Sequence, residues 1–194
     1  MASMKHFSAG FSLVEVLVSV VVLSVGLLGA VSLLLASART SNEAATFTAA
    51  VNLVRDLSEK ARMNKGIAAR NDPANAYLVE RWTEGASPGS AGPSCGASSA
   101  ACDAAQLAAW DMREWKQRIA AALPDARVSV CFDETPWSEA EGAYTWACSQ
   151  TGHSVVVKLG WMPRGNEGAG KPNPPPRLVM QLVPGHSHDG RPGS

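Results

Sequence analysis

The sequence lacks an excess of charge of either sign. Its 17 Lys and Arg offset 17 Asp and Glu over 194 residues, so a basic groove is excluded as a default and no direct nucleic-acid site is expected. Patterns that carry chemistry are also missing. There is no G-x-x-x-x-G-K-[ST] phosphate loop, no zinc-type ligand spacing and no credible Ser, His and Asp triad. Gly85-Ala86-Ser87-Pro88-Gly89 matches G-x-S-x-G. A nucleophile elbow, however, needs a strand before the Ser and a helix after it, and this Gly/Ser/Ala/Pro stretch supplies neither. His186-Ser187-His188-Asp189 lies in a Gly/Pro-rich terminus without further ligands and is read as a solvated end rather than a metal site. No catalytic residue, cofactor or metal is expected, and the chain is read as non-enzymatic.

Charge is scarcest at the start. Only Lys5 and Glu15 are charged among the first 38 residues, and residues 16–38 are 23 in a row without a charge. At about 1.5 Å per residue, a helix of that length crosses the hydrocarbon core of a bilayer. A cleavable secretory signal has a shorter apolar region, of roughly 7 to 15 residues, followed by a small-x-small site. Glu15 sets this run apart from a plain anchor. A carboxylate costs about 2.5 kcal/mol or more at the bilayer centre and less near the interface, so a compensating cation is expected.

The residues around it read Lys5-His6-Phe7-Ser8-Ala9-Gly10-Phe11-Ser12-Leu13-Val14-Glu15-Val16-Leu17. This string resembles the class III signal of type IV pilins and type II secretion pseudopilins: a short basic leader ending in Gly, then Phe, then an apolar helix with Glu at the fifth mature position. The resemblance implies cleavage by prepilin peptidase between Gly10 and Phe11, N-methylation of Phe11, and an assembly role for Glu15. In stacked parallel helices the new ammonium at Phe11 of one subunit would neutralise Glu15 of its neighbour. Ser24-Val25-Gly26-Leu27-Leu28-Gly29 looks more like PilV-type minor pilins than like major pilins or pseudopilins. Gly26 and Gly29 themselves have two readings: ordinary membrane-helix glycines, or positions of close helix approach or local unwinding.

Beyond the apolar run, 39–64 reads as an amphipathic continuation. Phe47, Val51, Val54, Ser58 and Ala61 form its stripe, and Asn64-Lys65-Gly66 stops it. Residues 67–102 look least ordered, with 85–102 a surface loop. Asp103 and Gln106 form a capping box opening a helix over 103–123, stopped by Pro124. Ala108, Met112, Trp115, Ile119 and Ala122 are its inner face, and Glu114 and Arg118 can pair at i, i+4. Trp110 and Trp115 are read as core. The string from Cys102-Asp103 through Trp110-Asp111 and Trp115 to Leu123-Pro124 again resembles the PilV-type pattern. Strand-like runs follow at 127–133, 144–150, 154–161 and 177–183, and the Pro-rich connection at 163–176 is read as a hairpin loop or as a contact surface for another pilin. Four cysteines allow three pairings. If 127–133 and 144–150 form a hairpin with 131 opposite 148, Cys131 bonds Cys148 and Cys95 bonds Cys102; a register one residue off would leave the cysteines reduced or otherwise paired.

The implied architecture is α+β, a type IV pilin fold. A long amino-terminal helix packs on an antiparallel sheet of about four strands, the meander 127–183, with a second short helix. Leader 1–10, membrane or filament-core helix 11–38, continuation 39–64 and periplasmic head 65–194 are the expected parts. The implied function is a minor pilin, held once through the inner membrane and then built into the filament. Its partners would be prepilin peptidase, other minor pilins, the major pilin and the inner-membrane assembly platform. Its role would lie in priming assembly and in adhesion, twitching or DNA uptake. A type II secretion pseudopilin is the near alternative, and a membrane-anchored periplasmic binding module or enzyme the distant one.

Overall fold

The computed structural model describes residues 12–89, 92–96, 101–162 and 174–182. The chain divides into two compact units, Met1–Ala44 and Ala45–Ser194. Helix α1, Leu13–Met63, runs through both, and α2, Lys65–Ala68, β1, Val79–Thr83, and α3, Ala104–Ala122, follow. Next come β2, Arg127–Phe132, the two-residue strands β3, Trp137–Ser138, and β4, Ala143–Tyr144, then β5, Val155–Gly160, and β6, Leu178–Leu182. The main sheet is antiparallel in the order β1-β2-β5-β6. This is the α+β class expected: a long amino-terminal helix, a four-stranded antiparallel sheet and additional helices.

In the second unit α1 buries Ala50, Val54, Leu57 and Ala61, spaced four, three and four residues apart and therefore on one line of the helix. The line is rotated from the expected stripe. Val54 and Ala61 belong to it, but Val51 and Ser58 are half-buried, and Phe47 is exposed with its ring 6.1 Å from that of Trp161. These four side chains share one core with Trp115 and the large aliphatic side chains of the sheet. Asn64 breaks α1 with a non-helical ψ of 48°, but the chain does not stop there as expected; it makes one more helical turn, α2. The Asn64 side-chain amide donates to Ala104 O at 2.7 Å, tying this break to the start of α3.

Two of the strand assignments change. β1 lies within 67–102, the stretch expected to be least ordered, and pairs with β2 through Val79↔Val130, a bulge, then Trp82↔Val128 and Thr83↔Arg127. Glu80 and Arg81 mask the Val, Trp and Thr of this edge strand in the sequence. Residues 144–150, in contrast, are no strand of the main sheet. Only Ala143 and Tyr144 pair, with Ser138 and Trp137, and β2 takes β5 as its neighbour, with Cys131 opposite Val156. The meander therefore begins at Val79 rather than at 127.

α3 opens on the expected capping box: Gln106 N–H donates to Asp103 Oδ1 at 2.8 Å, and Asp103 N–H to Gln106 Oε1 at 3.0 Å. Trp115, fully buried, donates its indole N–H to Leu53 O of α1 at 2.7 Å. Ala108, Met112 and Ile119 are buried beside it, with Ala122 only half-buried. Ionic contacts lock the same two helices. Lys60 Nζ is 3.0 Å from both Asp111 Oδ1 and Glu114 Oε2, and the Tyr77 hydroxyl donates to Asp111 Oδ2 at 2.9 Å. Burial alone would lower the Lys60 ammonium, but Asp111 and Glu114 outweigh it and hold its pKa above the ordinary value. Burial, and then the Asp111 charge, push the Tyr77 phenol well above its usual range. Arg118 pairs with Asp56 of α1 and not with Glu114 at i, i+4. Asp111, Glu114 and Arg118 of α3 thus pair across helices rather than along one.

Asp111→Ala should destabilise the folded head by about 3 kcal/mol, because it leaves a buried cation short of a partner and a buried hydroxyl without an acceptor. Tyr77→Phe should cost about 1 kcal/mol, and Glu114→Gln less than about 1 kcal/mol, since Glu114 is partly in water. Denaturant unfolding of the full chain in nonionic detergent measures this order. Equal effects at 111 and 114 would remove the buried ion pair from its assigned role.

Candidate functional site: an exposed amino-terminal helix and a clamped strap

Residues 13–44 of α1 are exposed throughout, including Leu17, Val21, Leu28, Val31 and Leu35. The helix is long and apolar enough to cross a membrane, with a mean hydropathy of 2.6 over its best window. Ser19, Ser24 and Ser32 turn their hydroxyls back onto carbonyls four residues earlier, at 2.7 to 2.9 Å, so each polar group is satisfied within the helix. A Cβ on Gly26 or Gly29 would meet nothing within 4 Å, so neither glycine is required by a contact within this chain. Glu15 sits in the first turn of α1, where the amino-terminal end of the helix dipole favours a carboxylate. Gly10 and Phe11 lie outside the described residues.

In the second unit the outer face of the sheet is closed by a strap, residues 145–150. Val128, Val130 and Phe132 of β2 belong to the core, so the alternating Ser129 and Cys131 point to the opposite face, as do Val156, Lys158 and Gly160 of β5. Every residue of β5 is nevertheless buried. Lys158, at 0% exposure, pairs with Asp133 at 2.6 Å and donates to Thr145 O at 2.8 Å and Ala147 O at 2.6 Å. Asp133 Oδ1 accepts the amides of Thr135 and Ser149 at 3.1 and 3.2 Å. Burial alone would raise the Asp133 carboxyl, but Lys158 and those two amides hold it below the ordinary range. Trp146 lies over Gly160, where a Cβ would sit 2.8 Å from its ring. Within the strap Thr145 O and Ala147 O are taken by Lys158 and Ser149 N–H by Asp133, while Gln150 N–H still reaches Phe132 O of β2 at 3.0 Å.

Cys131 and Cys148 are bonded with Cα atoms 6.3 Å apart, and Cys95 and Cys102 with Cα atoms 5.9 Å apart. The first bridge does not join two paired strands. It ties β2 to the strap lying over it, so the hairpin register with 131 opposite 148 is corrected. Cys131, Asp133 and Cys148 bring three ligand-type atoms within 4.8 Å of one another, but both sulfurs are engaged in the bridge and the carboxylate is held by Lys158. They offer a metal no thiolate. Ser87 Oγ bonds only within its own turn, to Gly89 N and O, and no histidine or carboxylate is bonded to it among the described residues. His186 and His188 lie outside them.

The clamp has a pH signature. A carboxylate depressed on folding contributes stability that is present above its unfolded value, about 3.9, and lost as pH falls through the folded value. Asp133→Asn should therefore be less stable than the parent at pH 7 by about 3 kcal/mol, with the gap closing below about pH 4. Cys131→Ser/Cys148→Ser should lose about 3 kcal/mol independently of pH in that window, from a loop of 17 residues. Thermal unfolding across pH 2 to 8 checks both. A pH-independent deficit in Asp133→Asn would show that Asp133 is not the acid-sensitive element.

A family model for the prokaryotic N-terminal methylation motif matches residues 5–31. No curated protein and no solved structure gave a significant match to the chain. The match spans the basic leader, the Gly10-Phe11 junction, Glu15 and the first turns of α1, a region that carries processing by prepilin peptidase and entry to pilus-type machinery in general. With the exposed apolar helix behind it, this segment supports a type IV pilin-like or pseudopilin-like amino terminus in general.

Proposed function

We propose that this chain is a non-enzymatic minor pilin of the PilV type, which takes part in priming or assembly of type IV pili and so in adhesion, twitching or DNA uptake. The carrying observation is the methylation motif at 5–31 running straight into an apolar helix that is exposed among the described residues. An exposed helix of this kind is stable in a bilayer or against copies of itself, not in water. On this reading prepilin peptidase cuts after Gly10, Phe11 becomes the methylated first residue, and the head follows the helix from the periplasmic side of the inner membrane into the filament. The capped α3, with Cys102 before it and Leu123-Pro124 after it, supports the PilV-type reading over a major pilin. A type II secretion pseudopilin has the same amino-terminal logic. Deletion in the producing cell separates the two: fewer surface pili with protein secretion intact fits the minor pilin, and the reverse assigns the chain to secretion.

Intact mass of the mature protein should show loss of residues 1–10 and gain of one methyl group on Phe11. A different mature terminus in a cell that makes prepilin peptidase would overturn the processing assignment. Glu15→Ala should be processed and inserted normally but enter filaments at least about tenfold less, the equivalent of about 1.4 kcal/mol of lost pairing. Quantification of sheared pili against membrane protein measures this ratio, and unchanged incorporation would defeat the pairing of Glu15 with a neighbouring amino terminus.

A further inference from the structure

The six tryptophans of the chain are not treated alike. Trp82 and Trp115 are buried, and their indole N–H groups donate to Ser87 O and Leu53 O. Trp110, Trp146 and Trp161 are each faced by a cation of the same chain: Lys60 Nζ at 5.4 Å from the ring centroid, the Arg127 guanidinium at 4.0 Å and the Arg177 guanidinium at 4.9 Å. Trp137 has neither arrangement. It is 45% exposed, and among the described residues no cation faces its ring. Its contact is Tyr144, 38% exposed, with ring centroids 5.2 Å apart and planes at 83°.

Along the chain around this pair the charge is of one sign. Residues 128–157 contain no Lys or Arg but four carboxylates, Asp133, Glu134, Glu139 and Glu141. Asp133 is held by Lys158. The other three are exposed, and among the described residues they form no ion pair. The pair is also fixed at its base. Trp137 stands opposite Tyr144 in register, Thr145 N–H donates to Pro136 O at 3.0 Å, and Thr145 O is one of the carbonyls held by Lys158.

We propose that the β3–β4 hairpin is a docking tip for an arginine-bearing surface of another protein. An open indole face attracts a cation, and a guanidinium can stack on it while its N–H fork bonds a carboxylate, which an ammonium does less well. The chain shows the same chemistry internally where Arg127 covers Trp146. At Trp137 the aromatic face is exposed, Glu139 and Glu141 lie in the same hairpin, and no cation among the described residues faces the ring. The partner supplies the cation. This inference stands on the hairpin alone and does not depend on the filament reading.

The full chain in nonionic detergent, titrated with a fluorescein-labelled Arg-Gly-Arg-Gly-Arg peptide and followed by anisotropy, tests it. The arginine peptide should bind at least about threefold more tightly than its lysine counterpart. Trp137→Ala should weaken binding about tenfold, with Trp137→Phe in between. Glu139→Gln/Glu141→Gln should weaken it about threefold at low salt, and by less near 0.5 M, where exposed charges are screened. A cooperative denaturant-unfolding transition like the parent's confirms that each variant is folded, and the two-glutamine variant, which alters no ring, serves if Trp137→Ala is not. Equal binding by Trp137→Ala and the parent overturns the proposal, as does equal binding of the two peptides or no binding at about millimolar peptide. Uptake of chitotetraose in place of the arginine peptide would assign the aromatic pair to sugar stacking and would also overturn it.

Discussion

Lys158 is an ammonium at 0% exposure in the middle of a strand, and much of the head follows from where its three protons go. Water is not within reach, so a counter-charge and two further acceptors must be brought to it. Asp133 supplies the charge, and Thr145 and Ala147 supply carbonyls. Those carbonyls can reach Lys158 only if 145–150 leaves the sheet and crosses its outer face. Once there, the segment sets Cys148 over Cys131, lays Trp146 on Gly160, and holds the base of the β3–β4 hairpin, with Trp137 and Tyr144 outermost. Disulfide, ion pair and aromatic packing therefore all act on the same strap.

The helix α1 is held by different physics in its two parts. In the second unit a line of Ala, Val and Leu packs into the core, and Lys60, Asp56 and Leu53 reach α3 through ion pairs and a carbonyl. In the first unit its described residues are exposed from Leu13 to Ala44. The buried core and the ion pairs between helices belong to the head, whereas the amino-terminal part carries an exposed apolar surface with Glu15 in its first turn. A methylation motif at that end matches such a surface, because assembly or a bilayer supplies what a monomer in water cannot.

Several features were readable from residues alone, for local reasons. An uncharged run of 23 residues has one low-energy form in a membrane, and Gly10-Phe11 followed by Glu15 is a contiguous signal. Asp103 and Gln106 cap α3 through contacts three residues apart, so sequence proximity suffices. The α+β class followed from the order of periodic segments. The rotation of the α1 stripe did not, because Val51 and Leu57 are equally apolar and only the facing surface selects between their lines.

The sequence by itself determined the amino-terminal helix, the capped second helix, three strands of the sheet and the identity of the residues able to bridge. Tertiary structure alone decided that Val79–Thr83 is the edge strand and that 144–150 is a strap. The first depends on pairing with β2, far along the chain, and the second on which backbone groups distant side chains take. Lys158 and Asp133 are 25 residues apart, and β-propensity measures only how well a side chain fits a pleated surface, not which carbonyl a buried lysine will claim.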